Sequence, residues 1–378
     1  MDGKSGAFFR QARRSGLWPE AKAVHRSTVT KARAKLSHAA FERMHHDAVE
    51  LAHEVWPEHD SHTWQGLSVY AIDGSIYNLP ASDALRKAFD PDSGLGKPGK
   101  GHYPQCLVST ACDVFRRLPV ARTVQPIALA NEREEAKALV PHIPKGGILL
   151  FDRGYPSYDL IAYLIRHYQG HWVFRCPARS TFAAVEDFVR SGKTEAAITL
   201  APPGAKPVTL RAIRMESPDG ELSVLLTNLP DEPRFAASAV IELYFRRWAV
   251  ELQYRDEKTS LDIETFHSQT ENGILQELFA ILVMAVIART LAALMTDPNH
   301  DSKAEPQFKH AIITLAQEAA VLAPRCPQLV LAIFSELLHE IARVRYYPPK
   351  TPRPPQPRVS KKPVNKWQVD KAKRMAEA

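Results

Sequence analysis

Between residues 67 and 177 the chain alternates between short apolar stretches with strand character and stretches with helical spacing. The stretches LSVYAIDGSIYNL and GGILLF predict two strands, and we expect the first to break at Gly74, directly after Asp73. The second ends at Asp152. QCLVSTACDVFRRLPVARTV and HWVFRCP predict further strands, while Asn131 and Ser157 are expected to cap two helices. This alternation predicts a mixed α/β sheet flanked by helices.

The pattern changes on either side of this segment. Helical periodicity precedes it, and short β-rich stretches punctuated by proline and glycine follow it, which predict a small antiparallel β unit before helical periodicity resumes. We therefore divide the chain into a helical N-terminal region (1–66), the two parts of an α/β core (67–177 and 235–300), a β insertion between them (178–234), a C-terminal helical region (301–345) and a basic, proline-rich tail (346–378).

Two short basic helices joined near Ser37 are predicted within residues 24–54. They resemble a helix-turn-helix, which makes Lys31, Arg33 and Lys35 candidate contacts to DNA phosphates. Any small helical hairpin gives the same pattern.

Positive charge is concentrated in the tail. The chain carries 49 Lys and Arg against 42 Asp and Glu, a formal net charge of +7. Residues 346–378 hold nine Lys or Arg against Asp370 and Glu377, so the rest of the chain is close to neutral. Proline-rich, basic composition is typical of an extended arm that binds a polyanion, and a solubilising end has the same composition.

Several classes of protein are disfavoured. The four cysteines (106, 112, 176 and 326) form no CxxC pair and have no histidine at ligand spacing, so neither a zinc site nor a disulfide framework is expected. The first residues lack the apolar run of a signal peptide. The most apolar segment, 278–295, approaches membrane-spanning length, but Arg289 interrupts it, so we expect a buried core helix.

The stretch IELYFRRWAVELQYRDEKTSL, residues 241–261, places charge at regular steps. Tyr244, Arg247, Glu251 and Lys258 follow one another at steps of 3, 4 and 7, which on a continuous helix puts them on one face. Trp248 would then lie about 100° round the helix and pack against the sheet. A solvated helix with internal salt bridges gives a similar pattern.

Two strand-end aspartates and one helical glutamate can together bind two Mg²⁺ ions through oxygen ligands. Asp73, Asp152 and Glu251 are the candidates. For each aspartate alone, a turn-forming role is the competing interpretation.

The motifs DGS at 73 and FDRGYPSY at 151, with the spacing Tyr-x2-Arg-x3-Glu-x6-Lys from Tyr244 to Lys258 and Trp248 after Arg247, resemble a known family. They are similar to the DDE transposases of bacterial insertion sequences that carry the Tyr-Arg-Glu-Lys signature, an insertion-sequence-four-like group. The resemblance runs from about residue 25 to about residue 300. It implies a ribonuclease-H-like core interrupted by a β insertion.

The resemblance also implies an activity. Such enzymes nick transposon ends by water attack, and the freed 3′-OH then attacks the opposite strand or target DNA. Asp73, Asp152 and Glu251 would be the catalytic metal ligands for two Mg²⁺ ions per active site, with Mn²⁺ able to substitute. The residues that would contact DNA are Tyr244, Arg247 and Lys258, to which we add Arg153 of the DRGY motif.

The implied partner is double-stranded DNA, both terminal repeats and target, bound by a homodimer in the bacterial cytoplasm near the nucleoid and not at a membrane. Relatives often carry a base-stacking Trp in the insertion; residues 178–234 contain none, and Phe182, Phe188 or Trp172 could substitute. Two alternatives remain open: a metal-dependent nuclease that does not join DNA, and a non-enzymatic DNA-binding remnant.

Overall fold

A mixed β-sheet with helices on both faces forms the centre of the molecule. The computed structural model describes residues 9–10, 12–14, 18–22, 24–56, 59–90, 103–179, 182–201, 206–216, 220–261, 263–296, 304–318 and 327–347. Cys326 and tail residues 348–378 lie outside these described residues.

The helices and strands follow one another in near-regular alternation through the core. The strands are β1 (Val69–Asn78), β2 (Gln105–Asp113), β3 (Leu118–Pro126), β4 (Ile148–Phe151), β5 (His171–Pro177), β6 (Glu195–Leu200), β7 (Val208–Glu216), β8 (Leu222–Thr227), β9 (Glu305–Pro306) and β10 (Arg345–Tyr346). The helices are α1 (Arg26–Lys35), α2 (Ala39–Val55), α3 (Asp83–Phe89), α4 (Glu132–Leu139), α5 (Tyr158–His167), α6 (Ala183–Arg190), α7 (Ala237–Phe245), α8 (Trp248–Arg255), α9 (Glu271–Leu294), α10 (Phe308–Glu318) and α11 (Pro327–Arg343), with a π-helical turn at Asp256–Ser260.

Strands β1 to β8 form one sheet in the order β3-β2-β1-β4-β5-β8-β7-β6. The central pairs β1–β4 and β4–β5 are parallel, and every other neighbouring pair in this sheet is antiparallel. Parallel neighbours require a crossover, which α5 provides between β4 and β5. This arrangement confirms the predicted ribonuclease-H-like mixed sheet flanked by helices.

Local sequence signals positioned two of the core helices correctly. The Asn131 side chain accepts a hydrogen bond from the Arg133 backbone N–H at the start of α4, and Ser157 accepts one from Leu160 at the start of α5. Both caps satisfy helix N–H groups that have no partner within the helix.

The first strand is longer than predicted. The expected break at Gly74 is wrong, because β1 continues to Asn78 and Gly74 pairs with Ser109 of β2. Burial changes at Asp73: residues 69–72 are buried, residues 73–76 are partly or largely exposed, and Tyr77 is buried again. Hydrogen bonds to β2 thus maintain the strand through the partly exposed residues 73–76.

The segment predicted as a β insertion contributes β6, β7 and β8, and these strands extend the core sheet. β8 pairs with β5 from Val173–Thr227 to Pro177–Ser223. The segment also contains α6, which the sequence pattern did not predict. The division into domains stays a prediction.

Helices cover both faces of the sheet. One apolar core lies under α2, α4, α5 and α6, the other under α3, α7 and α8, and α9 contributes to both. By length and composition α9 could cross a membrane, yet 56% of its most apolar window is buried inside the protein. It packs against α2, β3 and α10, as expected of a core helix.

Candidate active site

Asp73 and Asp152 lie on neighbouring parallel strands at the same edge of the sheet. Ala71 of β1 is level with Leu150 of β4, and continuing that register by two residues brings Asp73 level with Asp152. Side chains two residues apart in a strand point to the same face, so Asp73, like Ala71, faces α7 and α8, whereas Asp152 directly follows the last residue of β4. Neighbouring strands lie about 4.8 Å apart, so the two carboxylates are close.

A glycine follows each aspartate and helps to orient it. The N–H of Gly74 donates to Asp73 Oδ1 at 2.9 Å, and the N–H of Gly154 donates to Asp152 Oδ1 at 2.8 Å. Each carboxylate therefore keeps its other oxygen available for a second partner.

The prediction that Tyr244 and Lys258 share one face of a continuous helix with Glu251 is wrong. The chain turns at residues 246–247 between α7 and α8, and Lys258 lies in the π-helical turn after α8. Both irregularities change the angular position of later residues. Arg247 and Lys258 nevertheless both contact residues of β1.

Arg247 joins two of the three predicted ligands. Its Nη1 is 3.3 Å from Asp73 Oδ2, and its Nη2 is 2.8 Å from Glu251 Oε1. The guanidinium is 9% exposed and therefore mostly shielded from water. Arg247 thus ties α8 to β1 at the point where β1 leaves the core.

Trp248 lies at the surface, so the prediction that it packs against the sheet is also wrong. Its exposed fraction is 49%, whereas that of Arg247 is 8%. The turn before α8 is the physical reason: it points Arg247 inward to the acids and leaves Trp248, the first residue of α8, facing solvent.

Two further side chains, from α8 and the π-helical turn, donate hydrogen bonds to β1 near Asp73. The Lys258 ammonium donates to Ser75 Oγ at 2.9 Å and to the Ile76 carbonyl at 2.7 Å. The Tyr254 hydroxyl donates to the carbonyl of Asp73 itself at 2.7 Å. Both groups hold the acid-bearing end of β1 against the helix that carries Glu251.

Burial and like charge make this cluster electrostatically strained. Burial raises the pKa of Asp73 to about 6; Arg247 opposes that rise, while Asp152 and Glu251 add to it. Burial also raises the pKa of Tyr244 to about 12, with Arg247 again opposing. Carboxylates that repel one another at a partly shielded site favour a bound cation.

The donor set fits Mg²⁺, which prefers carboxylate oxygens. The ligand atoms of the three predicted ligands do not all lie within 4.8 Å of one another, and the Arg247 guanidinium contacts both Asp73 and Glu251. Among the described residues, three ligand atoms within 4.8 Å of one another belong to exposed side chains of α2: His46, Asp47 and Glu50. There Asp47 already pairs with Arg43.

Sequence reasoning missed a fourth acid, Glu132, in the first turn of α4. A Cβ built on Gly74 would stand 2.7 Å from its Oε1, and one built on Gly154 would stand 3.3 Å from its Oε2. Glu132 therefore approaches both glycines that follow the predicted ligands. Burial and the charge of Asp152 raise its pKa. An acid after an N-cap is common at helix starts, so the sequence carried no special signal.

The predicted DNA contacts occupy different settings. Arg153 is 64% exposed and lies 3.4 Å from Glu221, while Lys31 and Lys35 are exposed on α1. Arg33 donates to Gln276, to the Gly273 carbonyl and to Glu277, all on α9. Arg33 therefore has a structural role in docking α1.

The three aromatic residues suggested as base-stacking substitutes are all buried. Trp172, Phe182 and Phe188 have exposed fractions of 1%, 0% and 3% and belong to the apolar core. None presents a ring face to a nucleotide, so this suggestion is wrong.

The sequence matches the family described as transposase DDE domain over residues 64–287. It is 27% identical over 275 residues to transposase InsG for insertion sequence element IS4 of Escherichia coli (strain K12), which covers 70% of this chain and 60% of that protein. A predicted transposase, y4zB, of Sinorhizobium fredii (strain NBRC 101917 / NGR234) is 27% identical over 161 residues, 40% of this chain and 44% of that protein. The matched region thus spans less than two thirds of either relative.

Among solved structures, the cryo-EM structure of the piggyBac transposase synaptic complex with hairpin DNA is similar at a TM-score of 0.42 and 12% identity. The match covers 79% of this chain and 61% of that chain.

Proposed function

The chain belongs to the transposase DDE domain family, and we propose that it cleaves DNA at the ends of an insertion sequence and joins the freed 3′-OH to target DNA. The observation that carries this proposal is the convergence of acids from distant segments: Arg247 binds Asp73 and Glu251, and the strand register brings Asp152 beside Asp73. A DDE motif requires two aspartates and one glutamate, and we assign these positions to Asp73, Asp152 and Glu251.

Asp73, Asp152 and Glu251 would hold divalent metal, in our proposal two Mg²⁺ ions with Mn²⁺ able to substitute. Metal held by these carboxylates would supply activation of the attacking hydroxyl and charge stabilisation for the leaving oxygen of a phosphoryl transfer. The glycine N–H donors orient the two aspartates, and Tyr254 fixes the backbone carbonyl of Asp73. The chain thus supplies a preoriented set of oxygen ligands.

The cations around the acids are proposed to bind the DNA backbone. Arg247 has donors that can reach phosphate oxygens when its carboxylate partners bind metal, and Lys258 places an ammonium next to Ser75. Tyr244 lies against Arg247 and Arg153 is exposed nearby. Lys31 and Lys35 of α1 and the basic tail 346–378 would add contacts farther from the cleaved bond.

We further propose that the partner is double-stranded DNA, with terminal repeats and target both bound, and that a homodimer forms on it. Such a protein acts in the bacterial cytoplasm in association with the nucleoid, and not at a membrane. A nuclease that does not join DNA, and a DNA-binding remnant, are the competing functions.

The test uses the purified chain with Mg²⁺ or Mn²⁺ and DNA that carries the flanks of its own gene. We expect cuts at two defined ends, followed by joining when a pre-cleaved end with a free 3′-OH is supplied with target DNA. Cleavage without joining would favour the nuclease. Binding without cleavage in either metal would favour the remnant.

A further inference from the structure

We infer that Glu132 is a fourth carboxylate ligand of the divalent metal that Asp73 and Asp152 bind. This inference rests on the proposed function. It adds to the site a residue from α4, an element that carries none of the three acids of the DDE motif.

The two oxygens of Glu132 lie against the two glycines that orient the aspartates. Oε1 is 2.7 Å from the position of a Cβ on Gly74, and Oε2 is 3.3 Å from that of a Cβ on Gly154. Asp152 Oδ1 is 3.2 Å from that same position on Gly154. The Glu132 and Asp152 carboxylates therefore lie close to the same point beside Gly154. A side chain on Gly74 or Gly154 would push against the Glu132 carboxylate.

The Glu132 carboxylate lacks a counter-charge in contact with it. Among the residues that the structure describes, no group donates a hydrogen bond to it and no cation forms an ion pair with it. Neighbouring Arg133 instead donates to the Gly154 carbonyl. A partly buried anion beside a second anion is costly unless a cation joins them.

A second, independent group points to the same place. The Tyr155 side chain is fully buried, and its hydroxyl has no hydrogen-bond partner within the described residues. Burial raises the pKa of Tyr155, and the charges of Asp73, Glu132 and Asp152 raise it further. Buried hydroxyls normally have a partner. A ligand, such as a water of a hydrated metal, would supply one.

The test is Mn²⁺ binding to the full chain without DNA, measured by the EPR signal of free Mn²⁺ and by the Mn²⁺-dependent rise in melting temperature. The variants are Glu132→Gln, Asp73→Asn and Asp152→Asn. Glu134→Gln is the matched control, because Glu134 lies in the same turn of α4 but pairs with Lys137 away from the site.

We expect Glu132→Gln to weaken Mn²⁺ binding by about tenfold or more, while Glu134→Gln leaves it unchanged. Without Mn²⁺, Glu132→Gln should melt no lower than the parent, since it removes a repelling charge. If both aspartate variants weaken binding and Glu132→Gln matches the control, the inference is wrong and the proposed function stands. If the aspartate variants also leave Mn²⁺ binding unchanged, the proposed metal site itself is wrong. Should Glu132→Gln fail to fold, Glu132→Asp, which keeps the charge but shortens its reach, must weaken binding for the inference to survive.

Discussion

Two glutamates on the segment that runs from α8 into the π-helical turn have opposite environments. Glu257 is fully buried, and Arg122, also fully buried, pairs with it at 2.7 Å. Tyr77 and Gln253 donate to the same carboxylate. Glu251 is partly exposed, and the Arg247 guanidinium contacts both Glu251 and Asp73.

The difference separates a structural ion pair from the ion pair at the proposed metal site. Around Glu257 one cation faces one anion, and hydrogen bonds satisfy the carboxylate, so no further ligand is needed. At Arg247 two carboxylates, Asp73 and Glu251, contact one guanidinium, and the charge of Asp152 also raises the pKa of Asp73. An arginine–glutamate pair alone therefore does not identify a site; the balance of charge around it does.

The largest effect on activity should follow from removing one of the acids near Arg247, Asp73. Asp73→Asn keeps the shape but loses a charged metal ligand, so we expect cleavage to fall at least about a thousandfold. DNA binding should remain nearly intact, because the proposed function assigns phosphate contacts to many other cations. Cleavage assays and gel shifts on the same preparation measure both, and a parallel loss of the two would remove Asp73 from the chemistry.

Disrupting the buried Arg122–Glu257 pair should instead lower the stability of the fold. Arg122→Met leaves Glu257 charged in the core, and we expect the free energy of unfolding to fall by about 3–5 kcal/mol. Denaturant unfolding measures this loss. The double variant Arg122→Met with Glu257→Gln removes both charges and should recover much of the stability. A double variant as unstable as the single one would contradict the account based on an uncompensated charge.

His45 lies close to the Arg122–Glu257 pair, and burial favours its neutral form. It contacts the Pro119 carbonyl at 2.7 Å, and burial lowers its pKa from 6.5 to about 4, with the charge of Arg122 lowering it further. As pH falls from about 6.5 to 4 the unfolded state binds a proton that the folded state does not, so stability should fall by about 3 kcal/mol. In His45→Gln, which keeps an N–H donor, unfolding curves across this range should lose that part of the pH dependence.

The sequence predicted features that depend on local signals. Apolar runs located β1 and β4, and Asn131 and Ser157 located two helix starts. The sequence pattern did not predict the break between α7 and α8, and the contact that Arg247 makes there with Asp73 joins distant parts of the chain. Glu132 was missed for a similar reason: only the fold brings it to Gly74 and Gly154.

The smallest predicted effects on stability come from substitutions at the break between α7 and α8. Arg247→Met leaves Asp73 and Glu251 without their shared cation, and we expect the free energy of unfolding to fall by about 1–3 kcal/mol, part of which Mg²⁺ should restore by binding the folded state. Trp248→Ala should cost about 1 kcal/mol or less, because half of its side chain is already in solvent. Thermal melts of both variants with and without Mg²⁺ compare them directly. If Trp248→Ala proves more damaging than Arg247→Met, and Mg²⁺ restores neither, then Trp248 packs in the core and Arg247 does not mediate between the acids, as a continuous helix would require.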